Sequence, residues 1–194
     1  MPAQHKNYWL MKSEPSECSI DDALAAKNAT VPWTGVRNYQ ARNFMRDEMQ
    51  PGDDVLFYHS SCAEPGIAGL ACIAGSAVPD QMRRGDGVLF YHSSCAEPGI
   101  TGLAEVASTP YPDATQFDRK SKYYDPTAKR EEPRWVHVDV KALQKTRLVG
   151  IAELRAHPEL ADMVILRRGN RLSITLVTAT EWRFITTKLL KATA

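Results

Sequence analysis

The segment "VLFYHSSCAEPGI" stands at residues 55–67 and again, unchanged, at residues 88–100. Whether it is a repeating unit, one half of a shared site or a surplus copy decides the fold. Aligned at a spacing of 33 residues, Gly52–Ala71 matches Gly85–Ala104 at 18 of 20 positions, and only Asp54/Gly87 and Ala68/Thr101 differ. Looser matches ("DEMQPGD" with "DQMRRGD") extend the two units to about 47–79 and 80–112. A solenoid needs roughly three units to bury a continuous core, and the sequence holds no third. The reading is therefore a single domain over residues 1–194 that carries a tandem duplication. Each copy reads as a strand, a turn at Glu-Pro-Gly and the start of a second strand.

Outward from the repeat, the chain alternates short strands with short helices. "NYWLMKSEP" opens as an aromatic-rich strand that ends at Glu14-Pro15. "SIDDALAAK" predicts a helix with Ser19 as N-cap and Asp21 and Asp22 favouring the positive end of its dipole. A second helix is expected from about Asn38 to Met49. "RWVHVDVKALQKT" alternates Val136, Val138 and Val140 with polar residues, the period of a half-buried strand. "GIAELRAHPELADM" is a helix broken before Pro158, and "VILRRGNRLSITLVT" reads as a hairpin turning at Gly169-Asn170. "ATEWRFITTKLL" closes as a helix. The long polar stretch over 108–135, with its prolines, Tyr123 and Tyr124, is expected to be an ordered loop. Strands with helices inserted between them define an α+β class built on a curled, mostly antiparallel sheet.

Bulk properties narrow the function. A 43% hydrophobic content and four tryptophans can fill a core, which argues against disorder. With 24 basic and 23 acidic side chains the net charge is +1, so any nucleic-acid surface must come from local clustering. No apolar run reaches the roughly 18 residues of a membrane span, and the first residues do not read as a signal peptide. Four cysteines, Cys18, Cys62, Cys72 and Cys95, fit a reducing compartment, cytoplasmic in a bacterium or nuclear in a eukaryote.

The order of "YWLMKSEP", "PWTGVRNYQARNFMRD", "VLFYHSSCxEPGIxGLAEV", "YPDATQF", "KYYDP", "PRWVHVDV" and "MVILRRGNRLSI" resembles an EVE domain, a member of the PUA-like superfamily related to YTH domains. The resemblance runs from about Tyr8 to Ile185. It implies a PUA-like, partly open β-barrel with surrounding helices, and a non-catalytic reader that seats a modified nucleobase in an aromatic pocket. The family pattern holds the repeated segment once. Here the first copy stands at the family's distance from "NYQARNF", whereas the second runs on correctly into "AEVASTPYPDATQF". The expectation is that the second copy, Val88–Ile100, fills the strand slot.

A base reader needs an aromatic wall, polar groups for the base edge and cations for flanking phosphates. The expected wall is Trp33, in "PWTG". Trp9 and Trp135 alternate within strands as core. Lys12 and Ser13 are similar to the Lys-Ser pair that helps line YTH pockets. Asn38 and Tyr39 head the densest polar-aromatic cluster, and Tyr91 and Ser93 complete the expected base pocket. Arg37, Arg42, Arg168 and Arg171 are the expected backbone-binding cations. No catalytic residue, cofactor or metal is expected. The expected partner is nucleic acid carrying a modified base, for example 5-methylcytosine, 5-hydroxymethylcytosine or a methylated RNA base, met by a monomer. Three other readings stay open. His59, Cys62, His92 and Cys95 form a formal His2Cys2 set for zinc. His92 with Cys95 or Ser93, and Glu97, would serve a small hydrolase or transferase. A protein-interaction module would bind independently of Trp33.

Overall fold

The computed structural model describes residues 7–14, 17–59, 87–91 and 99–190, with backbone alone at 57–59, 87–91, 99, 101 and 102. Nine strands and four helices carry the described chain. The strands are β1 (Tyr8–Ser13), β2 (Thr30–Pro32), β3 (Asp54–His59), β4 (Gly87–Tyr91), β5 (Gly99–Val106), β6 (Tyr111–Pro112), β7 (Val136–His137), β8 (Asp139–Gly150) and β9 (Ile174–Val177). The helices are α1 (Ile20–Ala25), α2 (Tyr39–Asn43), α3 (Ile151–Arg155) and α4 (Ala179–Phe184). Wider π turns extend α2 over Phe44–Glu48 and α4 over Ile185–Leu189.

Side chains with a reason to stop the backbone set the helix starts. Ser19 and Asp22 form a reciprocal capping box on α1, with Asp22 N–H donating to Ser19 Oγ at 3.0 Å and Ser19 N–H to Asp22 Oδ2 at 2.8 Å. Asn38 Oδ1 accepts from Ala41 N–H at 3.0 Å and starts α2. Thr178 and Glu181 repeat the box on α4.

The main sheet runs β2-β8-β5-β3-β1-β9, with β1 and β3 parallel and the other neighbours antiparallel. The class is α+β with a mostly antiparallel sheet, as the sequence implies, but the sheet is not closed into a barrel. β2 and β9 end the ribbon, three and four residues long, and do not pair with each other. Curl enters at the β5–β8 ladder, where the register shifts between Ile100 and Gly102 and between Leu103 and Ala104.

In β1, three consecutive residues, Trp9, Leu10 and Met11, are fully buried, so both faces of this strand are covered. Neighbouring side chains point to opposite faces. Tyr8 meets Trp182 of α4 with ring centroids 4.9 Å apart, and Trp9 meets Phe44 at 5.5 Å. Each large side chain taken out of water in this way contributes about 1.5–3 kcal/mol. Trp9 Nε1 donates to the fully buried Asp53 at 2.9 Å, and Gln50 N–H donates to the same carboxylate oxygen at 3.1 Å. The Asp53 carbonyl in turn accepts from Val106 N–H at 2.7 Å. One aspartate thus ties β1 to the lead-in of β3 and the end of β5.

Both copies of the repeat meet the same strand. The first copy, through β3, lies between β1 and β5, pairing Tyr8–Ser13 in parallel with Asp54–His59. The second copy, through β4, pairs with β5 alone. Val55 and Val88 both register with Ala104, and Leu56 and Leu89 both with Leu103. A backbone edge holds one ladder at a time, so the two copies are alternates for one slot; Asp53 has a twin in Asp86, which lies outside the described residues. The continuations at 60–86 and 92–98 lie outside the described residues.

The segment read as a hairpin is also different. Val164–Leu166 forms a 3-10 turn, Gly169 turns the chain with φ of +80°, and β9 pairs with β1 instead. Met163 and Ile165 are buried, so the apolar residues that suggested a strand serve the core from a turn.

Deleting residues 53–85 joins Gly52 to Asp86 and leaves a single copy in the alignment's register. This variant is expected to unfold in one cooperative transition with Tm within about 5 °C of the full chain, because the slot is refilled by the same residues and the connection to β5 is shortened. Thermal melting by circular dichroism measures it, and a chain that fails to fold would show that both copies are structural.

Candidate nucleic-acid interface

Where β1 ends, the chain from Pro32 to Asn38 and the loop around Tyr123 come together over a cleft of about 710 Å³. Each wall has a local cause. Lys12 N–H donates to Ser173 O at 2.9 Å, which brings Lys12 and Ser13 beside Ser173 and Arg171. Trp33 N–H donates to Val138 O at 2.9 Å, extending the β2–β8 ladder and fixing the indole at the cleft. Past Trp33 the backbone must reverse, and Gly35 does so with φ of +83°. A Cβ there would stand 2.5 Å from the Tyr123 ring, so this close approach also requires glycine.

The turn is held from beneath by Asp113, which is fully buried. Its carboxylate accepts from Gly35 N–H at 3.1 Å, Arg37 Nη1 at 2.8 Å, Thr115 N–H at 2.9 Å and Thr115 Oγ1 at 2.6 Å. Burial alone would raise this carboxyl. The neighbouring His137 ring, Thr115, Arg37 and the Gly35 N–H outweigh it and hold the group well below the usual carboxylate range. Arg37 donates further to Tyr123 O from Nε (2.9 Å) and Nη2 (2.5 Å), to Val36 O (3.0 Å) and to Thr115 Oγ1 (2.9 Å). Every N–H of its guanidinium has a protein acceptor. Arg37 therefore lines the cleft as a strut, with nothing left for a phosphate, contrary to its expected role.

The cleft gathers Lys12, Ser13, Trp33, Asn38, Arg37 and Arg171 from the expected set. Trp33 is only 6% exposed, so it offers the cleft part of one surface and the core the rest. Asn38 also caps α2, leaving its amide nitrogen for other partners. Burial lowers the Lys12 ammonium to about 8. Ser13 Oγ donates to Cys18 O at 2.7 Å. Arg171 is exposed at the rim.

Tyr39 and Arg42 point elsewhere. Tyr39 is 54% exposed and stacks on Trp135 at 5.0 Å, with the Arg42 guanidinium 4.9 Å above its ring. One residue after the Asn38 cap, the helix has rotated its side chain away from the cleft. Trp135, as expected, is nearly buried. Arg168 is exposed and is not among the described residues lining the cleft. The Tyr91 side chain and Ser93 lie outside the described residues, as do Cys62, His92, Cys95 and Glu97. Among the described residues, no group of three or more His, Cys, Asp or Glu is placed to hold a metal.

Residues the sequence reading did not assign complete the rim. Tyr123 Oη donates to the Glu17 carboxylate at 2.6 Å, and Lys122 pairs with the same carboxylate. Asp22 and Cys18 stand on the same side. Burial, then Asp22, push the Cys18 thiol up to about 11, so it is protonated at neutral pH and a poor nucleophile. No histidine is among the described lining residues. Among the described lining residues no nucleophile stands beside a base.

An open α+β sheet with a mixed aromatic, amide and cationic cleft at its strand ends defines a small ligand-recognition domain. The EVE domain model matches residues 7–83 and 76–188, in two segments that divide between the copies of the repeat. The chain belongs to the EVE domain family. Thymocyte nuclear protein 1 of Homo sapiens is 34% identical over 92% of this chain and 72% of its own length. The Danio rerio protein of that name is 37% identical over 91% and 69%. A Leishmania major protein structure matches with a TM-score of 0.72 at 38% identity, covering 95% of this chain and 94% of that one. The structure of human THYN1 protein in complex with 5-methylcytosine containing DNA matches at 0.74 and 33% identity, covering 97% of this chain and all of that one. No helix among the described residues is long and apolar enough to cross a membrane.

Gly35→Ala is expected to cost about 2–3 kcal/mol, because it forces an L residue into a left-handed turn and displaces a packed ring. Urea denaturation reads this as a lower midpoint; an unchanged midpoint would mean that the Tyr123 loop yields freely.

Proposed function

We propose that this protein is a non-catalytic module that binds nucleic acid by seating one modified base in the cleft between Lys12, Trp33 and Tyr123. The carrying observation is the lining itself: an indole, hydroxyl and amide groups and four cations, of which Lys12 and Arg171 are differently placed, around a volume suited to a small ligand. The relative crystallised with 5-methylcytosine DNA supports 5-methylcytosine in DNA as the first substrate to test.

In this reading Trp33 and Tyr123 supply aromatic surface, and Ser13 and the Asn38 amide meet the base edge. Lys12 and Arg171 face the backbone, in place of Arg37, whose donors are all engaged inside the protein. The protonated Cys18 and the absence of a histidine among the described lining residues favour binding over hydrolysis or transfer. RNA carrying a methylated base is the second substrate class, and binding by a monomer is part of the proposal.

Fluorescence anisotropy with matched modified and unmodified oligonucleotides at fixed salt tests the proposal. Stacking is worth about 1–3 kcal/mol per base, so Trp33→Ala should weaken the modified oligonucleotide about tenfold or more. Because Trp33 is also core, folding is checked by circular dichroism and Ser13→Ala is measured in parallel. Equal affinity of both variants and the wild type would sink the pocket assignment.

The Lys12 ammonium adds a pH signature. It is charged below its lowered value of about 8 and neutral above it, so affinity should hold from pH 6 to 7 and decline as pH rises through about 8. Lys12→Met should start weaker and flatten this step; parallel profiles for the two proteins would remove Lys12 from the interface.

A further inference from the structure

A second recess, of about 360 Å³, opens beside α2 and is lined by Arg42, Arg46, Lys129 and Arg134, with Thr127 and Glu132 among its other residues. We propose that this groove holds a phosphodiester of the strand flanking the base in the cleft, so that the domain recognises an oligonucleotide rather than an isolated base; the proposal rests on the function above. Arg42 and Arg46 stand one helical turn apart and present both cations to one side. Lys129 and Arg134 approach from the loop that carries Trp135.

The acids nearby do not neutralise the groove. Arg46 makes a two-pronged pair with Asp47 at 2.6 Å, but both side chains are nearly half exposed, and such surface pairs exchange readily. Arg134 meets Asp125 at 3.4 Å and Thr127 beside it. That aspartate is already held by Thr127 and by Trp135 Nε1 at 2.7 Å. Arg42 donates only to neutral acceptors among the described residues, Asn43 Oδ1 at 2.6 and 3.0 Å and Arg134 O at 3.2 Å. Burial and then the like charge of Arg46, with Arg134 also contributing, lower its basicity and outweigh Tyr39 and Asp47, which raise it. Glu132 is the one carboxylate among the described lining residues, against four cations.

Position ties the groove to the cleft. The Arg37 guanidinium, which lines the cleft, lies 5.4 Å from the Trp135 ring, and that of Arg42, which lines the groove, 5.9 Å from the same ring. Each site therefore has one of its guanidinium groups against the same tryptophan. A protein that tracks the backbone with cations beside a base pocket uses this arrangement.

The test uses Lys129→Gln and Arg46→Gln, both exposed, in the full chain. Phosphate contacts carry no sequence information, so each variant should lose about three- to tenfold affinity for 5-methylcytosine and unmodified oligonucleotides alike. The preference between the two should stay constant, and the slope of log affinity against log salt should fall by about one per lost contact. Wild-type affinity and slope in both variants would overturn the groove while leaving the cleft reading intact. A wild-type protein that binds no oligonucleotide would overturn both. Displacement of DNA by poly-glutamate as effective as by unlabelled single strands would overturn the phosphodiester assignment.

Discussion

The ion pair of buried Asp113 with the partly exposed Arg37 is the constraint on which the cleft depends. A carboxylate removed from water is costly unless its charge and lone pairs are met. Here four donors meet it, from two separate stretches of chain, Gly35 with Arg37 and Thr115, and the His137 ring lies 3.8 Å away. Arg37 passes the constraint on, binding the carbonyl of Tyr123 twice. The position of the turn after Trp33 and of the loop that faces it are thus set by one closed hydrogen-bond network. Neither the sheet nor the helices would fix that relation by themselves, since both segments lie outside regular structure.

Backbone-level features of this fold were legible in the sequence because their causes are local. Ser19, Asn38 and Thr178 start helices through bonds to residues three positions on, and the strand alternation of Val138 and Val140 follows from burial on one side. The Gly169 turn was correctly placed, but what preceded it was not a strand; Asn170 instead donates back to Val164 O and accepts from Leu172 N–H, closing a compact bend. How far a partly open barrel stays open depends on whether two very short end strands meet, which no local pattern encodes.

For the site, the sequence located Lys12, Ser13, Trp33, Asn38 and Arg171 in one cleft. It misjudged residues whose role turns on a partner distant in the chain. Arg37 looked like a phosphate ligand, and its partners lie 76 to 86 positions away. Tyr39 looked like pocket wall, and Trp135 captures it. Tyr123 was visible only as an aromatic in a long loop; its opposite number, Gly35, was the available signal, since a glycine after Trp-Thr marks a close approach of something large. The repeat was the least legible feature, because two identical strands compete for one edge of β5 and differ only in their surroundings.

The two boundaries of the cleft differ in how they are held. Its floor is fastened by Asp113 and Arg37, whose bonds are sheltered from solvent and cannot be exchanged for water without stranding a charge. Its rim is fastened across 106 positions of sequence by Glu17 with the Tyr123 hydroxyl and Lys122, groups that water solvates nearly as well. Floor and rim therefore answer to different forces: the shape presented to a ligand's inner edge is rigid, whereas the width of the mouth responds to ionic strength and to any anion or hydroxyl that can substitute for a partner. The base of the cleft keeps its shape, and its opening is left to the solution around it.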